Sequence, residues 1–268
     1  MPVAVEETGA ATTADSLYVV GGFNAAGASL DTVYVFDGSV WRAGPRLPLA
    51  VDHPSAASLS GQVYLAGGHT FGRDSARLFR LDGDRWTELA AMHYARGGHA
   101  LVSVQGRLYA IGGNSARGNV GPVEAYDPGA NAWTVLSSLP VPRNHVSGFV
   151  LGSRACVAGG RSPTTARIDC IDAADGSWSR LPDLPKPTSG AGAIAFGDEI
   201  VVAGGEDAQE GQLAPYVQRF RGGAWTVEPM LVPRHGIQLA LYEGRAWACG
   251  GADQPAYHAV SACTSIGP

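Results

Sequence analysis

Gly106-Arg-Leu-Tyr-Ala-Ile-Gly-Gly113 is a short apolar run closing on two glycines, and the chain contains six versions of it. The copies end at Gly21-Gly22, Gly67-Gly68, Gly112-Gly113, Gly159-Gly160, Gly204-Gly205 and Gly250-Gly251. Subtracting successive first glycines gives steps of 46, 45, 47, 45 and 46 residues. So regular a period marks a repeat architecture, one supersecondary unit copied around a ring. Within each unit the order is fixed. A polar loop follows the glycines, and a second apolar run then closes on a turn, as at Phe36-Asp37-Gly38, Leu81-Asp82-Gly83, Tyr126-Asp127-Pro128, Ile171-Asp172-Ala173 and Phe220-Arg221-Gly222. Asp caps its own backbone at such points, and Gly accepts positive φ. A tryptophan opens a third run at Trp41, Trp86, Trp133, Trp178 and Trp225, and a fourth run such as His99–Val104 leads toward the next double glycine. Runs this short, joined mostly by hairpin-length turns, predict four antiparallel strands per unit.

This pattern resembles the kelch repeat, a four-stranded propeller blade with a double glycine, an aromatic on the third strand and a spaced Trp. The resemblance covers nearly the whole chain. It implies an all-β, six-bladed propeller over residues 1–268 as one domain, with the first strand of each blade innermost and the fourth outermost. Function does not follow from it, because kelch propellers include actin- and degron-binding scaffolds, oxidases, a sialic acid mutarotase and plant specifier proteins. The ends of the chain are irregular. Thr8–Ala14 aligns with the first strand of later blades, while the sixth unit has runs near Gly236–Tyr242, Ala246–Cys249 and Val260–Thr264 and then stops without a Trp. An open seam would leave strand edges unpaired, so Val3–Glu6 is expected to pair outside the last C-terminal strand and close the final blade.

At 45% hydrophobic and 16% charged, the chain can bury a large core. A net charge of −5 gives no general attraction to nucleic acid or to an anionic membrane, and neither partner is expected. No run approaches a membrane span, and Met1–Glu7 lacks the basic and apolar regions of a signal peptide. That suits either a cytoplasmic protein or one whose signal has been removed. Lys186 is the sole lysine and no Asn-X-Ser/Thr sequon occurs, a composition that suits a bacterial, GC-rich source. A monomer is expected.

In the resembling propellers, fourth-to-first and second-to-third connections share one face. The longest loops here, Phe23–Asp31, Asn114–Pro122 and Glu206–Pro215, lie on it, and loops carry the sites of such scaffolds. Three connections place arginine at nearly one register: Arg96 and Arg143, each ten after a Trp, and Arg234, nine after. With Arg117 and Arg161 from neighbouring loops they would make a basic pocket whose guanidinium forks favour a carboxylate or phosphate. Resemblance to degron-binding kelch propellers, which hold acidic peptides with arginines in this region, supports that reading. The alternative is that an arginine before the first strand packs the loop. Asn114, His99, His145 and His235 complete the candidate ligand-binding set.

His53, His99, His145 and His235 fall ten to thirteen residues after a Trp, near the innermost strand. Imidazoles from separate blades suit a metal, but registers differing by up to three residues would spoil a symmetric ring, so neither metal nor cofactor is expected. Glu206 and Asp207 follow the fifth double glycine, and this Gly-Glu resembles a segment of the kelch-type sialic acid mutarotases. Those enzymes carry an arginine soon after the glutamate; here Gln212 stands in its place. The leading expectation is therefore non-catalytic binding of an anionic ligand or acidic partner segment. The competing one is a secreted or periplasmic enzyme acting on a sugar or another small molecule, with Glu206 as acid/base and Arg96, Arg143 or Arg161 as clamp. A deep polar cavity with a perturbed carboxylate would favour the enzyme, and an open rim displaying Phe23, Phe71 and Tyr94 would favour a partner.

Cys156 and Cys170 are 14 apart, as are Cys249 and Cys263, each pair falling on the second and third runs of one unit. Residues equidistant from a hairpin turn sit within disulfide reach. Two intrablade disulfides are expected, and with them an extracellular or periplasmic protein; four buried apolar thiols in a cytoplasmic protein are the alternative.

Overall fold

The computed structural model describes residues 1–207 and 211–267. It contains six radial antiparallel sheets. The first strands, Gly9–Thr12, Ser55–Leu59, Ala100–Val104, Ser147–Leu151, Gly192–Phe196 and Leu239–Tyr242, pack against one another around the axis, and the first meets the sixth. Five sheets have four strands in chain order, and the sixth has three, ending on Cys263–Ile266. Small residues dominate the inner strands because six of them converge there. A Cβ added to Gly148 would stand 2.7 Å from the Ala100 Cβ of the neighbouring blade. Burial declines outward, and the fourth strands, such as Ala132–Ser138, are mostly exposed. The recurring tryptophans tie blades together: Trp86 and Trp133 each donate from Nε1 to a carbonyl that follows the preceding blade, Pro45 and Ala90, at 2.8 Å.

The double glycine has a definite task. All twelve glycines have positive φ, from 62° to 111°. In every blade the N–H of the second glycine donates to the carbonyl of one residue in the following connection: Val51, Arg96, Arg143, Thr188, Arg234 and, closing the circle, Val5, at 2.8–3.0 Å. A Cβ on the first glycine would lie 2.8 Å or less from that same carbonyl oxygen. Glycine is required both by the left-handed backbone and by the close approach.

The N-terminal segment closes the last blade. Val5 N–H donates to Val260 at 3.3 Å, the Met1 amine donates to the Ser261 carbonyl at 2.9 Å, and Val5 is wholly buried. The pairing is a short bridge rather than a continuous outer strand, because Val5 then turns inward to stand where Val51 stands in the next connection. The second-to-third loops form small hairpins on this face, among them His69–Thr70 with Arg73–Asp74 and Asn114–Ser115 with Gly118–Asn119. Glu206–Asp207 pairs likewise with Gln212–Leu213, and residues 208–210 of that loop lie outside the described residues.

Cys156 pairs directly with Cys170 across their hairpin, as does Cys249 with Cys263, and both pairs are disulfides. For loops of this size the chain-entropy model gives about 3 kcal/mol of stabilisation per bridge. Replacing Cys156 and Cys170 together by alanine is expected to lower the melting temperature by several degrees. Non-reducing mass spectrometry of the parent protein checks the bonding itself; a mass equal to that of the fully reduced chain would contradict it.

Candidate functional site

Each fourth-to-first connection delivers three consecutive residues to the axial mouth, so the site is built in tiers. The central tier is a closed ring of backbone hydrogen bonds. Glu7 N–H donates to Gly236, Gly236 to Gly190, Gly190 to His145, His145 to Gly98, Gly98 to His53 and His53 to Glu7, at 2.6–3.1 Å. All six residues have φ between 50° and 63°, so three glycines are expected there, and Glu7, His53 and His145 are the exceptions. One residue earlier comes a second tier: Glu6, Asp52, Gly97, Asn144, Ser189 and His235. Each bridges to the residue after a double glycine, namely Phe23, His69, Asn114, Arg161, Glu206 and Ala252.

These tiers border an open-mouthed cavity of about 400 Å³ lined by Glu6, Phe23, Arg161, Glu206, His235 and Tyr257, together with Glu7 and His53. Arg161 is the one arginine in its described lining. Its Nη1 pairs with Glu206, and its Nη2 lies 2.7 Å from His145 Nε2. Asn144 Oδ1 stands 2.6 Å from His145 Nδ1 and Asp52 Oδ1 stands 2.7 Å from His53 Nδ1, so both rings offer their Nε2 edges to the ring centre. Phe23 packs edge-on against His53 and Tyr257.

The charges are strongly coupled. Burial pushes Glu6 up to about 7, against the His258 N–H that its carboxylate accepts. Burial opposes ionisation of Glu7 as well, but His53 and His235 hold that carboxyl well below its ordinary value. Although burial works against the charged imidazole, Glu7 at 3.6 Å raises His235 to about 9. Burial, with His53 and Arg161 nearby, keeps His145 well below the ordinary histidine range.

Arg96, Arg143 and Arg234 are structurally equivalent, as their register indicated, but they do not converge on a ligand. They occupy the position just outside the second tier and point back into their own blades, almost wholly buried. Arg96 donates from Nη1 to Gly112 and from Nη2 to Pro122 and Glu124, each at 2.9 Å. Arg143 reaches Gly159 at 2.6 Å and Asp169 at 2.9 Å. Among the described residues Arg234 finds carbonyls and Thr264 but no carboxylate, and burial lowers it to about 10. The loop-packing alternative describes all three. Arg117 is exposed and borders a separate groove with Tyr94 and Arg73. His99 lies below the ring, its buried ring nitrogens without a hydrogen-bond partner among the described residues, and burial, with Arg96 nearby, holds it well below the ordinary histidine range. Asn114 bridges to Gly97 of the second tier, while its Oδ1 is buried without a partner among the described residues. Of the candidate set, Arg161, Glu206, His145 and His235 come together. Glu6 and Glu7 escaped the sequence reading because no Trp precedes them from which to count.

A propeller with a built axial cavity is the class that fold and site define. The family profile described as "Kelch motif" matches residues 7–48 and 95–140. Kelch-like protein 25 of Xenopus tropicalis is 30% identical over 63% of this chain and 32% of its own length. Kelch-like protein 35 of Mus musculus is 29% identical over 49% of this chain and 24% of its own length. The matches thus span a third or less of these relatives. The solved "Structure of YjhT" aligns with all of this chain and 96% of that one, with a TM-score of 0.84 at 16% identity, a likeness of fold. The chain thus carries Kelch motifs over two of its stretches, on the fold of a six-bladed β-propeller.

Proposed function

We propose that the axial cavity binds a small anionic molecule, a carboxylate bearing further hydrogen-bonding groups, and that Arg161 holds its charge. The observation carrying this is that Arg161 opens onto the cavity while Arg96, Arg143 and Arg234 are closed off from it. Glu206 and His145 engage two of the five guanidinium N–H donors and fix the fork, which leaves three for a ligand. Cavities of this size with a few convergent polar groups are the usual form of small-molecule sites. The two disulfides support an extracellular or periplasmic setting.

A second reading, acid–base catalysis on such a ligand, is favoured by one observation. Glu6 lines the same cavity as Glu206, and its buried Oε1 has no hydrogen-bond partner among the described residues. Screening sugar acids and small dicarboxylates by thermal shift and calorimetry tests both. A charge-assisted hydrogen bond is worth about 1.5–3 kcal/mol, so Arg161→Gln is expected to weaken a hit by roughly tenfold to a hundredfold. The exposed Arg180→Ala serves as control and leaves the affinity unchanged. Binding that is indifferent to Arg161→Gln overturns the proposal. Conversion of the bound compound, lost in Glu206→Gln with binding retained, would select the enzyme.

A further inference from the structure

We propose that the axial ring is a divalent transition-metal site, held by Glu7, His53 and His145, with zinc the fitting ion. The three donor atoms lie within 4.8 Å of one another, and His53 Nε2 is 3.6 Å from Glu7 Oε2. Tetrahedral donors bound at 2.0–2.1 Å stand about 3.4 Å apart, so small side-chain rotations close the set. Two imidazoles and one carboxylate with an open position toward a cavity form a donor set that suits zinc or another borderline divalent ion.

Two independent features point the same way. First, these three are the only ring positions that carry side chains. Each adopts φ of 50° or 51°, backbone that L residues rarely enter and that glycine fills at the other three positions. Folding alone would be served by glycine throughout; the side chains are there for what they do at the axis. Second, each histidine has an outer partner on its Nδ1. Asp52 holds His53, Asn144 holds His145, and Asp52 is itself fixed by the Ser29 hydroxyl at 2.5 Å. Carboxylate or amide oxygens in that place set the tautomer and direct Nε2 at a metal. The four histidines looked irregular in sequence because they occupy three tiers. His235 lies one residue before the ring and His99 one after, while His53 and His145 share the ring register.

Arg161 is the competitor, because its Nη2 donates to the same His145 Nε2 lone pair that the metal needs. Metal binding therefore leaves Arg161 to Glu206 and the cavity. The site stands independently of the anion proposal, and the two separate in one experiment.

Tag-free protein, stripped with a chelator, is titrated with Zn²⁺ by calorimetry, with metal content read by elemental analysis and Co²⁺ substitution read by visible absorption. One zinc per chain is expected, with a tetrahedral Co²⁺ spectrum. His53→Gly and His145→Gly place the ring's own glycine at those positions and so keep the backbone, and each is expected to weaken Zn²⁺ by a hundredfold or more. Asn144→Ala removes an outer partner and is expected to cost tenfold to a hundredfold. Arg161→Gln has the opposite sign and tightens Zn²⁺ severalfold while weakening an anion. Zinc binding untouched by both His→Gly variants, or the absence of stoichiometric binding in the parent protein, overturns the site.

Discussion

Arg96→Ala is expected to lower the unfolding free energy by about 3–5 kcal/mol, the cost of removing one partner from a buried ion pair. Arg96 and Glu124 are both completely buried, and the guanidinium also satisfies the Gly112 and Pro122 carbonyls of its own blade. Glu124 would keep the N–H groups of His93 and Tyr94, but no arginine would neutralise it. For a chain of this size the loss corresponds to roughly 10 °C in melting temperature. Arg96→Lys keeps the charge but not the fork, and is expected to fall between. Arg96→Met with Glu124→Leu removes both charges and should recover much of the loss, because a buried pair adds little over well-packed apolar groups. Chemical denaturation of the four proteins checks this. An Arg96→Ala protein as stable as the parent, or a double variant worse than the single, would remove Arg96 as a brace.

How much of this was legible follows from which residues are bound to the backbone pattern. The double glycines determine the blade count, because both left-handed φ and the contact with Val51, Arg96, Arg143, Thr188, Arg234 or Val5 exclude a side chain, and no other residue type meets both demands. The hairpin spacing of Cys156–Cys170 and Cys249–Cys263 likewise has one meaning once the strands are placed. The equivalence of Arg96, Arg143 and Arg234 was also legible. Their direction was not, since in a connection that turns sharply, adjacent residues face opposite ways. Arg143 turns into its blade toward Asp169, while His145 two residues later lines the axial ring and is held there by the Asn144 amide oxygen. Glu7 carried no sequence signal, because its place in the ring depends on the N-terminus meeting the sixth blade. Arg161 and Glu206 each directly follow a double glycine, where the backbone bridge fixes the outlook of the side chain.

Gly113→Ala is expected to destabilise by about 2–6 kcal/mol, the sum of left-handed strain and overpacking. Gly113 has φ of 91°, and its N–H donates to Arg143 at 3.0 Å. An added Cβ would meet the His99 Cβ at 2.7 Å and the Gly97 oxygen at 2.8 Å. Neither neighbour yields freely, since Gly97 is bridged to Asn114 and is followed by Gly98 of the axial ring. Gly83→Ala separates the two contributions. Gly83 also has positive φ, 64°, but nothing stands within 4 Å of its added Cβ, so only the backbone strain of about 1–2 kcal/mol applies. Thermal and denaturant unfolding of both variants should therefore show Gly113→Ala losing clearly more. Because the displaced Gly97 would drag the ring with it, the Gly113 variant should also weaken ligands of the axial cavity, and Gly83→Ala should not. Equal losses in the two variants would mean that left-handed conformation alone, without the close approach between blades, accounts for the repeated glycine pair.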